Sequence, residues 1–199
     1  MKALHWLAGI IVGFEMPVPI YWLVLHGPIA FWRRHVRAGY WIAIILAWGG
    51  GDWLLYHFRR GLFDWRRSSP SPWMIAAGLA LIAIDVVTLT VVEMELGARR
   101  LVGQAELTDS GELTTRGLYR HIRHPRYLGM MAGVLGVCVL AGTQPLWIVS
   151  AFWGTAAIAA IRLEERELRS RFGSAYADYA LRVPALLPFR LRGASRPQI

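Results

Sequence analysis

Lysine occurs once in 199 residues, as Lys2, and cysteine once, as Cys138. A lone thiol excludes a disulfide-stapled scaffold. Charged side chains make up only 18% of the chain, fewer than the surface of a soluble domain of this length requires. No Gly-x-Gly-x-x-Gly turn is present, so the nucleotide fingerprint of soluble α/β folds is missing. The first apolar stretch has no Ala-x-Ala cleavage site, is long, and carries Glu15 inside it; it reads as a permanent helix rather than a signal peptide. Acidic residues are outnumbered, 13 Asp and Glu against 22 Lys and Arg, for a net charge of +9. The arginines lie beside apolar runs, so anionic lipid headgroups are the expected partners and nucleic acid is not.

What is abundant is apolar. Hydrophobic residues reach 55% and mean hydropathy is +0.38, which excludes a disordered chain. A membrane-crossing helix needs about 20 mostly apolar residues. Five stretches approach this: 4–26, 40–57, 73–93, 127–142 and 145–163. The expected fold is therefore all-α: a polytopic integral membrane protein of about five transmembrane helices, forming a single membrane domain over 1–199. The first stretch is expected to kink at Met16-Pro17 and Val18-Pro19. Gly142-Thr143-Gln144-Pro145 reads as the tight turn of a C-terminal helical hairpin. Gly133 and Gly136 would permit close packing within that hairpin, and Ala76 with Ala80 suggests another close helix contact. Trp6, Trp32, Trp41, Trp65, Trp73 and Trp147 fall near predicted ends, as in an interfacial aromatic belt.

Arginine placement sets the orientation. Arg33, Arg34 and Arg37, the long loop with Arg99, Arg100, Arg116, Arg120, Arg123 and Arg126, and the C-terminal tail share one side. That side is expected to be cytoplasmic, although Arg59, Arg60, Arg66 and Arg67 stand on the other. Arginine taking the place of lysine points to a GC-rich bacterial source, and so to the inner membrane.

Two polar segments flank the hairpin. The first contains Gly117-x-Tyr119-x-x-x-Arg123-His124-Pro125-x-Tyr127-x-Gly129. The second contains Glu164-Glu165-x-x-Leu168-x-x-x-Phe172-Gly173-x-x-Tyr176-x-x-Tyr179, followed by Arg182-Val183-Pro184 and Pro188. An antiparallel hairpin brings its two ends together. Cations, a histidine, a tyrosine and two carboxylates would then share a pocket at the membrane surface, a setting suited to a polar cofactor.

The ordered pair of segments resembles the two signatures of the isoprenylcysteine carboxyl methyltransferase family, within a wider superfamily that includes phospholipid N-methyltransferases and small-thiol methyltransferases. The resemblance covers about the last 80 residues. It implies an S-adenosylmethionine-dependent integral membrane enzyme that methylates a lipophilic acceptor, a membrane lipid or a lipidated molecule. By position, the implied cofactor-binding residues are Tyr119, His124, Pro125, Tyr127, Gly129, Glu164, Glu165 and Tyr176, in a cofactor-binding region over 113–188. Residues 1–96 would form a three-helix substrate side. Methyl transfer from a sulfonium needs in-line positioning and no metal. A carboxylate acceptor would need an orienting cation, for which Arg123 and Arg182 are candidates; an amine acceptor would need a base such as Glu165 or His124. An ethanolamine headgroup is the alternative acceptor. An NADPH-dependent reductase like the sterol reductases is the alternative enzyme.

His121 and His124 are three apart but have no third ligand, so no metal site is expected. Glu15 and Asp85 are costly inside apolar helices, by about 2.5–3.5 kcal/mol each. They either line a substrate path or pair within the bundle.

Overall fold

A computed structural model describes residues 2–34, 42, 44–63, 70–97 and 112–187. Trp41, Trp65, Pro188, Arg37, Arg66, Arg67, Arg99 and Arg100 lie outside these residues. The described residues are helical or in short connections, without a strand among them. Helices α1 (Lys2–Glu15) and α2 (Pro17–His26) are separated only by Met16, whose backbone stays near helical, and the short α3 (Ile29–Arg34) follows. A π-helical turn (Ile45–Gly50) runs into α4 (Gly51–Leu62). Then come α5 (Pro72–Leu96), a 3-10 turn (Gly117–Arg120), α6 (Pro125–Ala141) and α7 (Gln144–Arg182).

Residues Trp6–His26, Pro72–Leu96 and Gln144–Arg182 are long and apolar enough to cross a membrane, and α6 is a shorter apolar helix. At 1.5 Å per residue, a 25-residue helix such as α5 is about 37 Å long, more than the ~30 Å hydrocarbon layer. Large side chains face outward: Phe152 is 74% exposed and Val87 61%, while Ala8, Ala157 and Ala160 are fully buried. Such a surface is stable only against lipid, and small residues inside let the helices approach closely. The chain is an integral membrane protein. Trp6, Trp73 and Trp147 are exposed near the starts of α1, α5 and α7.

The interruption at Met16 has a sequence cause. Pro17 and Pro19 lack amide hydrogens, so the carbonyls of Gly13 and Glu15 lose their helical donors. For Glu15 the indole of Trp153 substitutes, donating from Nε1 at 3.1 Å. Trp153→Phe is expected to lower stability by about 1–3 kcal/mol, the cost of a buried carbonyl left unpaired, measurable by denaturant titration in detergent.

The hairpin turn forms where the glycine requires it. Gly142 adopts φ 63°, closing α6 with its N–H on the Cys138 carbonyl, and α7 starts at once with Pro145 in its first positions. Thr143 Oγ1 donates to the Leu62 carbonyl at 2.5 Å, which fixes the end of α4 beside this turn. The tightest packing is not within the hairpin, however. It lies between α5 and α6. A Cβ on Gly78 would stand 2.6 Å from Leu140 Cγ, and one on Gly133 would meet the Asp85 side chain. The inward face of α5 is thus Gly78, Ile82 and Asp85, whereas Ala76 and Ala80 are exposed. An alanine pair is indifferent to lipid or protein; a backbone-to-backbone approach selects glycine.

Helix α7 continues past Leu163 through the Glu- and Arg-rich run to Phe172, and beyond a break at Gly173 a further helical stretch reaches Arg182. The Glu- and Arg-rich run ends the apolar span but not the helix, because these straight-chain residues are good helix formers. The polar extension, outside the span, carries half of the site.

Candidate active site

The first polar segment is held by its own backbone needs. Gly117 has φ 58°, and the Glu95 carboxylate at the end of α5 accepts the Leu118 N–H at 3.0 Å. A side chain at 117 would occupy the space of that carboxylate. Just after the 3-10 turn the chain runs alongside its own C-terminal part. Arg123 N–H donates to the Pro184 carbonyl and His124 N–H to the Ala185 carbonyl, both at 2.9 Å. Residues 183–185 therefore act as a strap across the Arg-His-Pro segment.

Arg123 is the fastener. Its Nε and Nη2 donate to Glu165 Oε1 at 2.9 and 2.5 Å, and its Nη1 donates to the carbonyls of Ala180 (3.0 Å) and Val183 (2.5 Å). His124, buried, lies 3.3 Å through Nε2 from the same Glu165 oxygen, and Arg169 donates to the other at 3.1 Å. Burial would raise the Glu165 pKa, but hydrogen bonds from His124 and Arg123, with their charges, outweigh it and hold it at about 2. Glu165 is thus an ionised hub. Glu164 differs: it is partly exposed and lies 3.8 Å from His124 Nδ1.

Beyond Leu163 the polar extension turns at Gly173, where the backbone leaves the helix at φ 53°, ψ −128°. Nothing stands within 4 Å of a Cβ there, so the need for glycine is purely conformational. Gly173→Ala is expected to cost about 1–3 kcal/mol and to weaken cofactor binding, because the turn aims Tyr176 and Tyr179; thermal unfolding with and without ligand checks both. Tyr179 donates to the Tyr119 carbonyl at 2.6 Å, and burial pushes its hydroxyl up to about 12. Tyr176 is fully buried and its pKa is raised by burial and then by Glu165. Its hydroxyl has no hydrogen-bond partner among the described residues.

These elements enclose a cavity of about 330 Å³, within the range of small-molecule sites. Of the residues singled out from the sequence, Tyr119, Arg123, His124, Tyr127, Glu164 and Tyr176 line it. Glu165 sits behind Arg123 and His124 instead. Pro125 starts α6, and Gly129 faces Thr88 and Asp85 of α5 rather than the cavity. Arg182 is not brought to the site: it is exposed, and its Nε donates at 3.1 Å to the Asp178 carbonyl of its own helix. The buried positions of this stretch belong to Tyr176 and Tyr179, and Arg182 closes the helix on its outer surface.

Residues that the sequence did not single out for the site also shape it. Arg126 lines the cavity and donates through Nη1 to Asp85 at 2.6 Å and through Nη2 to Glu15. Glu15 and Asp85 are thus paired inside the bundle, and two acids in apolar helices were the signal for a buried cation. A second polar cluster joins α2 and α3 to α7: Glu167 lies 2.7 Å from His26 Nδ1 and 3.0 Å from Arg33. Trp22 stacks on His26 and lines the cavity.

The described residues thus form an outward-apolar helical bundle, a membrane protein with a cavity walled by apolar, aromatic and a few charged side chains. A family model described as phospholipid methyltransferase matches residues 73–175, more than half of the chain, and the chain belongs to that family. It is 32% identical over 120 residues to the protein-S-isoprenylcysteine O-methyltransferase of Xenopus laevis, covering 59% of this chain and 41% of the relative. The Rattus norvegicus protein of the same name is 32% identical over 130 residues, 63% of this chain and 45% of the relative. Methanethiol S-methyltransferase 2 of Bradyrhizobium diazoefficiens is 36% identical over 72 residues, 36% of this chain and 27% of the relative. The chain therefore spans less than half the length of these relatives. No solved structure matches it.

Proposed function

We propose that this chain is an S-adenosylmethionine-dependent methyltransferase, of the isoprenylcysteine carboxyl methyltransferase type in its cofactor half, acting on a lipophilic acceptor in the bilayer. One observation carries this reading. Every cavity-lining residue before position 97 is apolar or aromatic, and every charged one comes after position 113. Residues 1–96 thus supply an acceptor side, with Phe14, Tyr21, Trp22 and Trp48, and residues 113–188 a cofactor side.

The residues present fit the cofactor. Glu164 offers a carboxylate to hydroxyl or amino groups, the Tyr176 hydroxyl is buried without a partner among the described residues, and the rings of Tyr119, Tyr127 and Phe172 offer faces to an adenine or a sulfonium. When bound, S-adenosylmethionine supplies an electrophilic methyl group. The chain's own part is positioning: Glu165 and Arg123 fix His124 and the strap, and the apolar walls keep water from the acceptor.

The reading keeps five crossings, with the cavity at the cytoplasmic end and the Thr143–Leu62 contact at the other, in a bacterial inner membrane. Equilibrium binding of S-adenosylhomocysteine to the purified protein, together with radiolabelled methyl transfer into a lipid extract, tests it. Binding and a labelled lipid are expected. Tight NADPH binding without S-adenosylhomocysteine binding would favour a reductase, and failure to bind any nucleoside a scaffold.

A further inference from the structure

We propose that Glu167 is a positioning residue: with His26 and Arg33 it clasps the aromatic wall of the cavity to α7, and so sets affinity for the acceptor rather than for the cofactor. The proposal rests on the methyltransferase reading above and adds to it a residue that the second sequence signature leaves open.

Glu167 is 8% exposed and three basic side chains surround its carboxylate. His26 Nδ1 lies 2.7 Å from Oε2, Arg33 Nη2 donates to Oε1 at 3.0 Å, and Arg171 Nη1 stands 3.5 Å from Oε1. His26 ends α2, Arg33 belongs to α3 and Arg171 to α7. The cluster therefore joins two helices of residues 1–96 to the helix that carries Glu164. Helix α7 packs more extensively on α2 than on its hairpin partner α6, so this is its principal helix contact.

Such burial serves position more than stability. A buried ion pair loses so much hydration that an apolar pair of similar volume is often as stabilising or more so. Apolar side chains, however, fit over a range of offsets. A carboxylate with partners at 2.7 and 3.0 Å on two different helices fits one.

Neither His26 nor Glu167 lines the cavity, yet each adjoins residues that do. On α7, Glu164 and Leu168 stand three before and one after Glu167, and both line it. On α2, the His26 ring stacks on Trp22 at 5.1 Å, with 15° between the planes. Trp22 meets Tyr21 edge-on at 5.4 Å, and Tyr21 packs 5.4 Å from Trp48. These three rings form the wall that faces Leu168 and Phe172 across the cavity. A shift of His26 therefore moves the wall and leaves Glu164, Tyr176 and the Arg123–Glu165 pair in place.

The test uses full-length protein in dodecyl maltoside. Initial rates of radiolabelled methyl transfer are followed at increasing lipid extract, and S-adenosylhomocysteine binding is measured separately. Glu167→Gln keeps the volume and removes the charge. It is expected to raise the apparent KM for the extract about tenfold, with kcat and S-adenosylhomocysteine affinity changed less than about threefold. His26→Phe keeps a ring on Trp22 but loses the pair; it is expected to show the same split, and it stands in should Glu167→Gln fail to fold. Trp22→Leu with Glu167→Gln is expected to be no worse than Trp22→Leu alone, because the effect passes through that ring. An unchanged KM, additive losses, an equal loss of S-adenosylhomocysteine affinity, or failure of both single variants to fold overturns the positioning role alone. S-adenosylhomocysteine binding without a labelled lipid overturns the lipid acceptor and this role with it. Absence of S-adenosylhomocysteine binding in the unsubstituted protein overturns the methyltransferase reading beneath.

Discussion

Glu165→Ala is expected to weaken S-adenosylhomocysteine binding by about a hundredfold or more while the helices persist. Breaking a buried ion pair by removing one partner costs about 3–5 kcal/mol, and 1.4 kcal/mol is about a factor of ten. Here the loss strands Arg123, which then has only the Ala180 and Val183 carbonyls, and frees His124 on the cavity wall. The strap and the wall loosen together. Glu164→Gln should weaken binding with little change in the unfolding midpoint, since Glu164 faces the cavity, is partly exposed and touches the cluster only at 3.8 Å from His124 Nδ1. Calorimetric binding and thermal unfolding separate the two roles. Unchanged affinity in both Glu165→Ala and His124→Ala would sink the site assignment.

Gly136→Leu is expected to prevent assembly of the bundle. A Cβ at this position would lie 2.7 Å from the Gly78 carbonyl oxygen and 3.0 Å from Ile82 Cγ1, and neither atom is the far end of a flexible side chain. Helices α5 and α6 would have to part, which forfeits the packing that holds Asp85 and Arg126 and costs more than the roughly 1–3 kcal/mol of ordinary overpacking. Gly154 is the control: nothing lies within 4 Å of a Cβ there, and Gly154→Ala should be neutral or favourable by up to about 1 kcal/mol. Recovery of folded protein from membranes, and unfolding in mixed micelles, distinguish the pair.

Much of this is legible in the sequence because it depends on local chemistry. The interruption at Met16 follows from two prolines, and the turn at Gly142 from a glycine followed by Thr-Gln-Pro. Other features depend on which residues meet across the bundle. Glu164 and Glu165 are neighbours with identical side chains, yet helical rotation sends one to the cavity and the other to Arg123. Arg126 reaches acids on α1 and α5, a meeting that no spacing along the chain encodes. Arg182 belongs to a motif but is held on the outer surface by a bond to its own helix. Hydropathy puts the end of the last stretch at Leu163, whereas the helix runs on to Phe172 before it breaks at Gly173, because loss of hydropathy marks the end of a span and not the end of a helix.

The Trp153 bond to the Glu15 carbonyl also constrains how this sequence can change over generations. Replacing Pro19 restores a backbone amide, after which Trp153 is free to drift. Losing Trp153 first leaves a bare carbonyl in the interior. The two substitutions are therefore epistatic, and the accessible order begins with the proline.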